Sequence, residues 1–252
     1  MQKKRVIAVL ILRDGKVVQS EQFNHTNLIH TNASVAVEFF DGWAADEIVV
    51  LDVSRKESQR DKFIKAIDDL SSKCFVPLTV GGWVKSVEDV RALLRVGADK
   101  VIINTEAVLS PELMHQSVRT FGTQCIVVSI DVRMNQNHQY EVFIDRGRTP
   151  TGKHPVDWAM EAQELGAGEI FLTSIEHEGM RNGYNLDLLK QITDVIDIPV
   201  IAFGGVSTWE HMAQGILQSG ADAVAAANVL HYTEGSLRAA KQYLRDMGID
   251  VR

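Results

Sequence analysis

Only two cysteines, Cys74 and Cys125, occur in this 252-residue chain. They stand far apart in apolar surroundings, which excludes a disulfide framework or a zinc motif and reads as packed thiols. The eight histidines form no H-E-x-x-H and no Cys/His cluster, so no metal site is expected. No G-x-G-x-x-G follows the first apolar run, which argues against a dinucleotide-binding open sheet. No cofactor is expected. A long apolar run for a membrane span is missing, and so is a signal-peptide core behind the MQKKR start. A cytoplasmic protein with no membrane contact is the expectation. Positive charge is not in excess either: 26 Lys and Arg against 33 Asp and Glu leave a formal net charge of −7. That argues against nucleic acid as a partner. Local loops can still hold small anions.

What is present is a recurring unit. Short apolar, β-branched runs lie near 5–11, 47–52, 76–80, 100–104, 125–131, 169–174, 199–203 and 222–227. Helical periodicity follows each, near 31–44, 60–72, 86–97, 111–121, 155–166, 185–195, 207–219 and 234–247. Nearly continuous apolar strands are buried on both faces, the habit of parallel sheets. Eight such units predict an α/β fold, a single (β/α)8 TIM barrel domain over 1–252. Asp14-Gly15 marks a turn directly after the first strand. The polar loop after Val132 contains YEVFI, which predicts a small hairpin.

The chain also repeats itself. VGGWVKSVEDVRALLRVGADKV (80–101) resembles FGGVSTWEHMAQGILQSGADAV (203–224). Gly81, Gly82, Gly97, Ala98 and Asp99 recur 123 residues on as Gly204, Gly205, Gly220, Ala221 and Asp222. Two half-barrels, about 1–122 and 123–252, are expected. The same comparison sets VIAVLI (6–11) against IVVSID (126–131), so Ile11 stands where the second half has Asp131.

In such barrels the active face lies at the C-terminal ends of the strands. Those ends carry Ile11, Asp52, Gly81-Gly82, Asn104-Thr105, Asp131, Thr173-Ser174, Gly204-Gly205 and Ala227-Asn228. Paired glycines let backbone N–H groups approach an anion, so two opposed phosphate sites are expected, against a plain turn requirement for positive φ. A phosphorylated small molecule or inorganic phosphate is the expected ligand. Asp131 and Asp52 end apolar strands, where a carboxylate needs partners or a task. At the opposite strand ends stand Arg5, Glu47, Lys100 and Glu169, two charges of each sign. Alternation points Arg5, Lys100 and Glu169 inward, while Glu47 is out of step with Asp52 unless its strand holds a bulge. They read either as a ring across the barrel floor or as surface ion pairs.

DGKVV, DEIVVLD, PLTVGGWV, GADKVIINTEAV, VVSIDV, GAGEIFLTSIEHEG, IPVIAFGG and GADAVAAANV together resemble the cyclase subunit of imidazole glycerol phosphate synthase, the HisF-type barrel of histidine biosynthesis. The resemblance covers the whole chain. It implies that a separate glutaminase docks at the barrel floor and that ammonia enters through a gate matching Arg5, Glu47, Lys100 and Glu169. It places Asp99 at the partner interface. Of the family's two catalytic aspartates one matches Asp131, while the other falls at Ile11. A loop-one lysine becomes Gln19, a third glycine becomes Trp83, two phosphate-site serines become Phe203 and Asn228, and a loop-six aspartate becomes Glu178.

This pattern is similar to HisF-like paralogues of the glycosyl-amidation (WbuZ) type found with surface-polysaccharide biosynthesis. That likeness implies an ammonia-channelling subunit of a glutamine amidotransferase. It would serve an ATP-dependent sugar amidotransferase that forms an acetamidino group, with cyclase (lyase) chemistry lost or impaired. A genuine cyclase and a non-catalytic activator of a glutaminase are the alternatives.

Overall fold

The computed structural model describes residues 3–42, 44–231 and 235–252. The first half runs β1 (Arg5–Arg13), β2 (Lys16–Glu21), β3 (His25–His30), α1 (Ala33–Gly42), β4 (Glu47–Asp52), α2 (Arg60–Ser71), β5 (Leu78–Gly81), α3 (Val87–Arg95), β6 (Lys100–Ile103), α4 (Thr105–Leu109) and α5 (Pro111–Phe121). The second runs β7 (Ile126–Met134), β8 (Tyr140–Ile144), β9 (Thr149–Pro150), α6 (Pro155–Glu164), β10 (Glu169–Ser174), α7 (Leu186–Thr193), β11 (Val200–Phe203), α8 (Trp209–Leu217), β12 (Ala223–Ala226) and α9 (Ser236–Asp246). Position 43 of the helix expected over 31–44, and position 234 of that expected over 234–247, lie outside the described residues.

Eight strands pair in parallel in the order β10-β11-β12-β1-β4-β5-β6-β7, and β10 also pairs with β7. The sheet therefore closes, and the fold is a (β/α)8 TIM barrel. Alternation along each strand makes two cores. One parity points inward, where Ile7, Val49, Val127, Phe171 and Ile201 belong to one buried cluster. The other packs under the helices in a larger cluster that includes Phe40, Phe63 and Trp158. Local chemistry sets the helix starts. Ser86 accepts from the Asp89 N–H and donates to the Asp89 carboxylate, a reciprocal cap on α3. Ser110 and His154 cap α5 and α6, each followed by a proline at the first helical position.

Two loops at the C-terminal face carry extra strands. Asp14 (φ 53°) and Gly15 (φ 76°) make the left-handed two-residue turn that joins β1 to β2. YEVFI forms β8, antiparallel to β7. Cys74 and Cys125 form no disulfide and are half-buried; Cys74 packs against the core and its thiol donates to the Val76 carbonyl at 3.2 Å.

The opposite face shows a repeated stitch. Asp46, Asp99 and Asp222 stand just before β4, β6 and β12. Their carboxylates accept from the Val6, Leu78 and Val200 N–H groups at 2.8, 2.8 and 3.1 Å. Each returns its own N–H to the carbonyl of the same residue. Gly168 holds the corresponding place before β10, where a Cβ would lie 2.2 Å from the Thr123 carbonyl oxygen. Asp99 thus has a structural task whatever else it meets. Asp99→Ala leaves the Leu78 N–H without its acceptor, which costs about 1–3 kcal/mol. The expected readout is a lower urea midpoint at unchanged slope. An unchanged midpoint would show that water replaces the carboxylate.

Candidate functional site

The barrel floor is a closed ring of alternating charge. Arg5 Nη1 lies 2.7 Å from Glu47 Oε2 and 3.1 Å from Glu169 Oε1. Lys100 Nζ lies 3.0 Å from Glu47 Oε2 and 3.2 Å from Glu169 Oε1. Burial opposes the Arg5 charge, but Glu169 and Glu47 more than offset it and raise its pKa. Glu47 needs no bulge to join the ring. β4 pairs with β1 in unbroken register from Ile7↔Glu47 to Leu12↔Asp52, so Glu47 points inward and Asp52 has the other parity. Thr79 is a fifth member that strand-end reading passed over. Its hydroxyl donates to Glu47 Oε1 at 2.5 Å. A polar residue inside the apolar PLTV run was the signal available.

At the mouth, the structure places Asp131, Asp52, Gly81, Gly82, Asn104 and Thr105 around one chamber of about 440 Å³. Asp131 is buried and accepts from Ser129 Oγ at 2.9 Å. Burial pushes its carboxyl up to about 6, so it exchanges protons near neutral pH. Asp52 is largely committed to local structure. It accepts from the Ser54 N–H at 2.6 Å and from Trp83 Nε1 at 2.9 Å, while burial still raises its pKa. Trp83 adopts the left-handed backbone (φ 62°) that favours glycine, and the Arg146 guanidinium lies over its ring at 5.7 Å. Asn104 donates to the Ser129 carbonyl, and Thr105 Oγ1 accepts from the Asp145 N–H.

Gly204, Gly205 and Asn228 line a second chamber of about 320 Å³, together with Phe203 and Ser207. The glycine pairs also answer to plain packing. Gly82, Gly204 and Gly205 have φ of 137°, 103° and 93°, and a Cβ on Gly81 would lie 2.8 Å from Leu51 Cδ2. Thr173 is fully buried and pairs in register with Asp131.

Glu178 lines the second chamber, yet its carboxylate turns to the β2–β3 hairpin. It accepts from Ser20 Oγ and from the Phe23 N–H, both at 3.1 Å, and the Glu178 carbonyl accepts from the Gln22 N–H at 3.0 Å. Asn228 Nδ2 donates to the Ser20 carbonyl at 3.2 Å. Loop one is thus latched at the mouth, with its own Phe23 and Ile11 of β1 both buried. Asp99 stands apart, at the floor end. Among the described residues no group of three His, Cys, Asp or Glu is placed to hold a metal, and no helix is long and apolar enough to cross a membrane.

A closed barrel with a charged floor and a buried carboxylate beside two glycine-lined chambers defines a (β/α)8-barrel protein whose chambers lie at the C-terminal strand ends. Residues 5–236 match the family described as histidine biosynthesis protein. The chain is 43% identical over 252 residues to the proteins named imidazole glycerol phosphate synthase subunit HisF in two strains, Ames and Paris, of Leptospira biflexa serovar Patoc. The match covers 99% of this chain and 98% of each relative. This chain belongs to the histidine biosynthesis protein family.

The latch has a pH signature. Burial raises the Glu178 carboxyl from 4.5 to about 7, against the hydrogen bonds from Phe23 and Ser20. In the unfolded chain the group ionises at its ordinary value. Between the two values the folded state binds more protons, so stability falls as pH rises toward 7 and then levels off. Urea unfolding at pH 5 and pH 7 should show the wild type losing on the order of 2 kcal/mol more than Glu178→Gln. Equal losses in both proteins would show that Glu178 is not the titrating group.

Proposed function

We propose that this chain is the barrel subunit of a glutamine-dependent enzyme, taking ammonia at its floor and using it at its mouth in cyclase chemistry of the imidazole glycerol phosphate synthase kind. The carrying observation is Asp131, a buried carboxylate that titrates near pH 6 at the mouth of a barrel whose floor is a charge ring. The name borne by the two full-length relatives supports the same reading. In it, Asp131 moves protons as general base and acid. The glycine loops hold phosphate through backbone N–H groups. The floor ring admits small neutral ammonia and resists bulk water, and a glutaminase covers it at the Asp99 end.

Ile11 favours a second reading. It is buried at the mouth and has no proton to exchange. On this reading the barrel keeps the ammonia route but delivers to another acceptor, as in sugar amidation beside an ATP-dependent partner.

An assay with the phosphorylated cyclase substrate of histidine biosynthesis and ammonium separates the two. The first reading expects turnover on the order of 1 s⁻¹ or more, lowered about 10²–10⁴-fold by Asp131→Asn. It expects kcat/KM to fall as pH drops below about 6, where Asp131 takes up a proton. A wild-type rate no greater than that of Asp131→Asn leaves the second reading.

The floor is tested separately. Lys100→Ala leaves Glu47 and Glu169 short of a cation. With a glutaminase bound, glutamine hydrolysis should continue while less ammonia reaches the acceptor. Unchanged coupling with lost stability would make the ring a structural plug, and failure of any glutaminase to bind would end the channelling reading.

A further inference from the structure

Three non-glycine residues on the wall of the Asp131 chamber adopt the backbone region that suits glycine. Trp83 has φ of 62°, Asp145 of 52° and Arg146 of 58°. Such conformations persist where surrounding contacts over-determine them. Trp83 Nε1 donates to Asp52 Oδ2 at 2.9 Å, and the Arg146 guanidinium lies over the indole face, 5.7 Å from the ring centroid. The Asp145 N–H donates to Thr105 Oγ1 at 3.0 Å. The Arg148 N–H donates to the Ile144 carbonyl at 3.1 Å, which closes a tight turn after β8. Inside that turn Gly147 is buried, and a Cβ there would lie 2.8 Å from Ile175 Cδ1. The turn is therefore pinned on three sides, and it fixes where Arg146 sits.

The same turn carries more positive charge than it neutralises. Arg146 Nη1 and Arg148 Nη2 share the one Asp145 carboxylate, at 3.1 and 2.8 Å. Among the described residues Arg146 donates to no other acceptor. Its side chain is only 24% exposed, whereas Arg148 and Arg55, which line the same chamber, are exposed to solvent. Burial opposes the Arg146 charge, and so do Arg148 and Arg55. Asp145 and Asp52 do not fully restore it, and its pKa is lowered. We infer that Trp83 is a platform that holds Arg146 at the wall of the Asp131 chamber, and that the Arg146 guanidinium is the side chain that selects a phosphate-bearing ligand there. Stacked on the indole, a guanidinium keeps its N–H edge for hydrogen bonding, and its planar fork matches two phosphate oxygens. Such a ligand gives the half-buried cation the acceptor it lacks, while a neutral ligand of the same shape leaves it unpaired. The inference deepens the phosphate binding of the proposed function and rests on it. It adds a side-chain contact, from the turn after β8, to the backbone N–H groups of the glycine loop.

The test is titration of the full chain with inorganic phosphate at constant ionic strength, followed by the NMR signals of the nitrogen-15-labelled indole groups. Trp83 lines the Asp131 chamber and not the other, so its indole N–H reports on this chamber alone. Trp83→Phe identifies that signal by its loss. In the wild type the Trp83 signal should shift saturably with phosphate. Arg146→Gly, which suits the left-handed backbone, should raise the apparent Kd about tenfold or more. Arg146→Lys keeps the charge without the planar fork and should also weaken binding severalfold. It keeps the test alive if Arg146→Gly does not fold, and unmoved Trp158 and Trp209 signals report that the barrel is intact. Equal affinity in wild type and folded variants overturns the inference, as does a wild-type Trp83 signal that phosphate does not move. Wild-type affinity in Arg146→Lys alone shows that charge suffices and overturns the platform role of Trp83. No turnover is read, so failure of the cyclase assay together with Arg146-dependent phosphate binding would remove the cyclase reading and leave this inference standing.

Discussion

Pairing of β10 with both β7 and β11 closes the sheet, and closure leaves each strand one way to divide its side chains. The placement of the floor ring and of the mouth aspartates follows from that division. Glu47 joins the floor ring because β4 runs beside β1 without a bulge. For the same reason Asp52 is out of phase with the barrel interior and holds Trp83, although it lines the same chamber as Asp131. A register slip of one residue would exchange the two acids and break both ends of the barrel.

The floor and the mouth solve different electrostatic problems. Four charges sharing a desolvated ring cost more to bury than leucines of similar volume. They persist here with each cation bridging two carboxylates, and with Thr79 supplying one more donor to Glu47. At the mouth the acids have fewer partners. Asp131 and Glu178 meet burial with neutral donors, so burial wins and both carboxyls rise toward neutral pH. The floor acids meet cations, while the mouth acids meet only neutral donors and are left able to change charge.

The hairpin across the mouth connects these acids to access. Glu178 and Asn228 bind its backbone, and Phe23 is carried down onto the same apolar cluster as Ile11. Ile11 therefore leaves no ionisable side chain at the end of β1 and completes an apolar surface there.

The amino-acid sequence by itself determined the eight strands and the helices between them, because apolar runs and 3.6-residue periodicity are local signals that tertiary packing only had to accept. The Asp14-Gly15 turn and the YEVFI strand were legible for the same reason. Tertiary structure alone decided the rest. The hairpin strands 16–21 and 25–30 are too polar to announce themselves and exist through contacts from Glu178 and Asn228, more than 150 residues away. Thr79 acquires its role only when β5 pairs beside β4 and brings it to Glu47. Asp99 proved to be one of three equivalent stitches, visible only once Leu78 and its counterparts were in register. Chain-local patterns specify which segments become strands, but long-range register specifies which side chains meet, and sites are made of meetings.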